Sequence, residues 1–123
     1  MSHVGLDLLE IERLERALER RPRLATRLFT RGELADAERR RRPGRHLAAR
    51  FAAKEAAMKA LGGALSPQAI EVEGGGTEAP RLRLHGRAAS LAAERDVELR
   101  LSLTHSREMA AAVVVAVPGS RAR

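Results

Sequence analysis

The chain has 123 residues, no cysteine and a formal net charge of +7. That length suits one domain with its own core and no need of disulfides, and a cysteine-free chain fits a reducing compartment. The longest apolar run, Met109 to Val117, is too short for a bilayer span, and the opening Met1-Ser2-His3 lacks a signal-peptide pattern, so a cytoplasmic protein is expected, with no membrane partner.

The positive charge favours an acidic partner: nucleic acid, phosphates or an acidic protein. Of the 23 basic residues only Lys54 and Lys59 are lysines, and arginine is spread over nearly every segment. The only aromatics are two phenylalanines, so a stacking platform for single-stranded nucleic acid is missing.

Val4 to Leu9 reads as a buried N-terminal strand in which Gly5 permits close backbone approach. Asp7 is unusual in such a run, either a cap for the following helix or a ligand held at a strand end. Glu10 to Arg20 is built of helix formers, with Ile11, Leu14 and Leu18 inward. Opposite them Arg13, Arg16 and Arg20 form a basic ridge. Such a ridge is either a solvated face with intrahelical pairs or a docking surface for an acidic helix.

Arg21-Pro22 ends that helix, and Leu24, Leu28 and Phe29 suit a short helical turn. Thr30-Arg31-Gly32-Glu33 is a capping-box pattern, opening a helix expected to run to about Arg42. Arg39 to Arg42 then form a basic helix end before the break at Pro43-Gly44.

The most informative stretch is Arg50 to Ala60, within a helix expected from about Arg45 to Leu61 and stopped by Gly62-Gly63. At about 100° per residue Leu47, Phe51, Met58 and Leu61 share one face. Lys54 falls inside that stripe, while Glu55 and Lys59 sit together on its flank. Three charges in or beside a buried face mark a candidate site.

Ile70 to Glu73 and Leu82 to Leu84 read as a hairpin across Gly74-Gly75-Gly76, and Arg87 to Glu94 as a short helix. Val97, Leu99, Leu101 and Leu103 alternate as a half-buried strand whose inward parity continues to His105. Ala110 to Val117 returns as a fully buried strand. The expected fold is α+β, an antiparallel sheet packed against a long central helix. Residues 1–117 form one domain, and 118–123 a polar tail. Walker and Rossmann glycine motifs, a nucleophilic thiol and a helical histidine pair for zinc are all missing.

Asp7 and Glu55 are oxygen donors on separate elements, a set that suits magnesium shared with substrate phosphates. Lys59 and arginines would neutralise phosphate charge, and His105 could contact phosphate or move a proton. The plainer alternative is a buried Glu55–Lys59 pair that stabilises the helix.

Four segments together carry a resemblance: Gly5-Leu6-Asp7-Leu8, Phe29-Thr30-Arg31-Gly32-Glu33-Leu34, Arg50 to Ala60, and Ser102-Leu103-Thr104-His105-Ser106. Their order is similar to that of the holo-acyl-carrier-protein synthases, the short single-domain 4′-phosphopantetheinyl transferases, across residues 4 to about 117. The resemblance implies transfer of phosphopantetheine from coenzyme A to a serine of an acidic acyl carrier protein. It implies magnesium on Asp7 and Glu55, Glu55 helping to deprotonate the serine directly or through a metal-held water, and Lys59 on the diphosphate and leaving group. Arg50 and His105 would lie near the nucleotide. Lys54 is expected with them as a coenzyme A contact, because its place in the apolar stripe suggests a packed stem and an amine that reaches a phosphate or carboxylate. The docking surface would be Arg13, Arg16 and Arg20, with Arg13 the best match. A homotrimer with sites at subunit interfaces is implied, in which His105 and Asp7 serve a site across from Glu55. The chain departs from the family pattern in its short Gly62 to Pro67 loop and in Glu78-Ala79-Pro80-Arg81, which lacks a Gly-Lys-Pro turn. The competing reading is a small basic nucleic-acid-binding module without catalysis. It explains the charge but not Asp7 and Glu55 in apolar settings.

Overall fold

The computed structural model describes residues 4–120. The chain runs β1 (Val4–Glu10), α1 (Ile11–Arg20), α2 (Leu24–Leu28), α3 (Arg31–Glu38) and α4 (Pro43–Leu61). A single 3-10 turn, Pro67–Ala69, leads to β2 (Ile70–Gly75), β3 (Glu78–Leu84), α5 (Gly86–Arg95), β4 (Val97–His105) and β5 (Met109–Pro118). The architecture is α+β as expected. Its strands, however, form two antiparallel sheets: β1-β5-β4, and the separate β2-β3 hairpin. Helix α4 packs against both sheets and against α1 and α3. No helix among the described residues is long and apolar enough to cross a membrane.

Helix α3 ends at Glu38, earlier than Arg42, and α4 begins at Pro43. The residue before a proline is pushed out of the helical region, and Arg42 adopts φ −127 and ψ 86. Pro43 then occupies the first turn of α4, where a missing N–H is harmless. The arginine run is therefore a tight link between two helices, not the end of one.

Helix α4 is buried differently from the single stripe expected. Ala48, Ala49, Ala52, Ala53, Ala56, Ala57 and Ala60 are all buried, while Phe51 and Met58 are only half-buried. Small side chains let strands approach the helix closely. A Cβ added to Gly5 would fall 1.8 Å from the Ala56 carbonyl oxygen, so β1 can lie here only with glycine at that position. A helix enclosed on most sides must find partners for each of its charged groups.

Strand β5 is not fully buried. Ala110, Ala112 and Val114 face the core, but the opposite face of the three-stranded sheet carries no helix. There Val115 lies across from Val4, and Leu6 and Leu8 are 63% and 64% exposed. The expected tail begins late: Pro118 closes β5, and Gly119 is buried with its N–H bonded to the Asp96 carbonyl. Positions 121–123 lie outside the described residues.

Candidate active site

Along β1 the side chains alternate, so Gly5, Asp7 and Leu9 point toward α4 and Val4, Leu6 and Leu8 away from it. Asp7 does not cap α1, whose N-cap is Glu10. It takes an ion pair from Lys59 instead, Nζ to Oδ1 at 3.3 Å, and the same ammonium donates to the Leu6 carbonyl at 2.8 Å. The Glu55–Lys59 pair considered as the plainer alternative does not form within 4 Å. Glu55, half-buried one turn before Lys59, takes no hydrogen bond or ion pair among the described residues. Burial chiefly, then the Asp7 charge, push its carboxyl above the usual range, and Lys59 only partly opposes them.

Two carboxylates thus share one partly dry site with a single ammonium. That arrangement fits a divalent cation, which would relieve their repulsion. Among the described residues no cluster of three or more metal-binding side chains exists. Two oxygen donors with open coordination suit magnesium that also holds phosphates, not a closed structural zinc site.

Lys54 corrects the expectation of a coenzyme A contact. It is fully buried, and Nζ donates to Glu33 Oε1 at 2.7 Å and to the carbonyls of Pro67 and Ile70, each at 2.8 Å. All three ammonium protons are taken, and Phe29 lies beneath at 5.7 Å. Of the two acceptor types expected, it reaches the carboxylate. Its carbonyl bonds also tie down the end of the short loop after Gly62.

Arg50 and His105 meet in a second place. Arg50 donates to the Gly74 carbonyl at 2.7 Å, and with His105 it lines a cavity of about 250 Å³ walled by Arg40, Arg41, Arg45 and His46 and floored by Gly75 and Gly76. Arg42 also borders it but is tied to both Glu15 carboxylate oxygens and to the Arg107 carbonyl. The missed residue is His46. Nothing in the sequence singled it out: it lies four positions before Arg50, after Pro43-Gly44-Arg45.

The carboxylate site and the arginine cavity do not come together within one chain. Asp7 sits on edge strand β1 and His105 on edge strand β4, with β5 between, so about 10 Å of sheet separates them. Arg50 and Glu55 point about 140° apart around α4. Within the chain Asp7 lies beside Glu55, and His105 lies with Arg50 in the cavity.

The basic ridge is where the helical pattern puts it. Arg13, Arg16 and Arg20 are exposed along α1 and line one groove. Arg16 pairs loosely with Glu12 at 3.5 Å in full solvent, a contact worth little. Arg13 also borders a neighbouring apolar groove formed by Leu8, Leu9, Leu14, Phe51 and Met109. Glu78 to Arg81 lies in strand β3, with Arg81 paired to Glu73 and Glu78.

Comparison with known proteins gives this geometry its context. Residues 3–115 match the model of the 4′-phosphopantetheinyl transferase superfamily. The chain is 52% identical over 121 residues to the holo-[acyl-carrier-protein] synthase of Moorella thermoacetica, covering 94% of this chain and 93% of that protein. Among solved structures, the holo-(acyl-carrier-protein) synthase of Bacillus anthracis in complex with CoA (3′,5′-ADP) superposes with a TM-score of 0.79 at 30% identity, over 95% of this chain and 96% of that one. The Helicobacter pylori enzyme in complex with coenzyme A gives 0.79 at 27% identity, over 93% and 99%. A nucleic-acid module, the alternative raised by the net charge, is not favoured. With matched sequence, matched fold and a paired-carboxylate site, the chain belongs to the holo-acyl-carrier-protein synthases of the 4′-phosphopantetheinyl transferase superfamily.

Proposed function

We propose that this chain transfers 4′-phosphopantetheine from coenzyme A to a serine of an apo acyl carrier protein, with Asp7 and Glu55 holding magnesium. The observation that carries this assignment is the pair of carboxylates, Asp7 with Lys59 at 3.3 Å and Glu55 with no ion-pair partner among the described residues, in a chain matched over residues 3–115 by the 4′-phosphopantetheinyl transferase superfamily. Magnesium, when bound there, supplies neutralisation of the coenzyme A diphosphate. Glu55 accepts the serine proton, directly or through an ordered water, as the hydroxyl oxygen attacks the phosphorus that carries pantetheine. The bond from that phosphorus to the bridging oxygen breaks, and 3′,5′-ADP leaves with the electron pair. Lys59, more than half exposed, swings from Asp7 to the diphosphate and steadies the departing charge.

The arginine cavity with Arg50 and His105 suits the phosphorylated nucleotide end of coenzyme A. Because it lies on the opposite side of α4 from Glu55, a complete site needs a second copy of the chain. The uncovered apolar face of β1 and β5 is the surface through which copies would join, as a homotrimer. The ridge Arg13, Arg16 and Arg20 steers an acidic carrier, and a cytoplasmic setting places the chain beside it.

The test is mass spectrometry of apo carriers from fatty-acid, polyketide and peptide synthesis, each incubated with the chain, coenzyme A and magnesium. A serine-linked phosphopantetheine on at least one, with 3′,5′-ADP released, is the expected result. No mass gain on any would overturn the assignment.

A further inference from the structure

Two residues that line the arginine cavity each carry a buried polar atom with no hydrogen-bond partner among the described residues: Nε2 of His46 and Nε of Arg50. Arg50 is only 3% exposed. His46 lies in the first turn of α4, one turn before Arg50, so both project from one helix face into the same cavity. A buried polar atom left unpaired costs about 1–3 kcal/mol, so a ligand that drew either group into pairing would recover that cost.

The groups facing His46 come from α3, α4, the link between them and β4. Arg50 on its own helix, Arg40 in the preceding link and His105 at the end of β4 all oppose its protonation, and only Asp36 of α3 favours it. Burial adds the largest contribution, and together they push the imidazole down to about 4. Arg41 and Arg45 border the same cavity, while Arg42 is held by Glu15. The cavity therefore keeps its histidine neutral among permanent cations. Arginine cannot make that adjustment, because its guanidinium stays charged throughout.

We propose that His46 is a phosphate-binding residue that takes up a proton as the ligand arrives, so that an adenosine phosphate is held by an imidazolium its own charge creates. The inference rests on the reading that this cavity receives the nucleotide end of coenzyme A. A phosphate dianion among the arginines offsets their charge at the imidazole, and a turn of the ring that opens Nε2 to the cavity lets its protonated form donate a charge-assisted hydrogen bond where it has no partner now. Binding of phosphate and of a proton become linked, each tightening the other.

The test uses the full chain and adenosine 3′,5′-bisphosphate, titrated calorimetrically at about pH 6 in two buffers of different ionisation heat. The ligand's own second ionisation, near about 6, contributes equally to any protein and cancels in a comparison with His46→Gln. On binding, the native chain is expected to take up at least about half a proton more than His46→Gln takes up. In parallel, the His46 ring resonance, identified by its loss in His46→Gln, moves to the imidazolium position on ligand addition. Binding with equal proton counts, or a ring that stays neutral, would overturn the role of His46. Failure of the bisphosphate to bind either protein would instead overturn the reading of the cavity.

Discussion

Lys59 Nζ lies 3.3 Å from Asp7 Oδ1 and 2.8 Å from the Leu6 carbonyl, so the lysine of the central helix is bonded to the first strand and not to Glu55, one turn before it. Burial and the nearby Asp7 charge therefore outweigh the lysine at Glu55. This imbalance is the local reason for the proposed cation site, and it carries a stability consequence.

A carboxyl whose folded pKa is raised contributes stability below its unfolded pKa and loses it as pH rises through the folded value. Glu55 is such a group. In metal-free protein at about pH 8, Glu55→Gln should therefore raise the stability slightly, by less than about 1 kcal/mol, seen as a higher thermal midpoint, with the gain vanishing toward about pH 4. Saturating magnesium should favour the native chain and reverse the order. A variant less stable than native at pH 8 without metal would mean that Glu55 has a stabilising partner.

Gly5 sits where any Cβ would fall 1.8 Å from the Ala56 carbonyl oxygen and 2.9 Å from the Ala60 nitrogen, both backbone atoms of α4. Gly5→Ala forces strand and helix apart, at a cost of about 1–3 kcal/mol or more. Asp7 is carried away from Glu55 by the same shift. Urea unfolding should show the loss, and the folded fraction should bind magnesium more weakly.

Glu33 closes the capping box of α3 with Thr30 while its two oxygens also take Lys54 and the Val72 N–H. Removing one partner of a buried ion pair leaves the other uncompensated, so Lys54→Met should cost about 3–5 kcal/mol. Its affinity for coenzyme A, measured below the unfolding transition, should be unchanged. A stable variant with weakened coenzyme A binding would return Lys54 to the ligand.

How much of this was legible in the chain depends on range. The capping box at Thr30 and Glu33, the alternation from Val97 to Leu103 and the helix around Arg50 are set by neighbours a few residues apart, and the structure has them where the pattern puts them. Lys54 looked like a site residue because its partner Glu33 belongs to a different helix. The break at Arg42 was misplaced because an arginine-rich run reads as helix until the proline restriction is applied to the residue before it. His46 carries no signal until the cavity closes around it. The apolar residues of β1 and β5 read alike whether they face a core or another chain, so the bare sheet face was hidden too. Asp7 and Glu55 were legible as anomalies, carboxylates in apolar runs, although their adjacency needed the fold.

Charge reversal on the docking ridge should act on encounter. Arg13→Glu with Arg16→Glu should raise the carrier KM about tenfold or more and flatten the salt dependence, with kcat at saturating carrier little changed. Unaltered KM in low salt would place carrier docking elsewhere.

Leu6 and Leu8 project from the uncovered sheet face. If copies join through this face as proposed, Leu6→Asp with Leu8→Asp should leave only monomer in light scattering, because carboxylates cannot be buried there unpaired. Transfer should be lost while helix content is retained. A native chain that is already monomeric and active would contradict the shared-site account.

The central claim, that Asp7 and Glu55 together hold the magnesium used in transfer, is tested most directly by titrating magnesium into a reaction of coenzyme A with apo carrier and reading the carrier mass. The native chain should convert carrier in proportion to bound magnesium, and Asp7→Asn and Glu55→Gln should each lower the rate about 100-fold or more at any magnesium concentration. Transfer that proceeds at the native rate in either variant, or in chelator with no divalent ion, would contradict it.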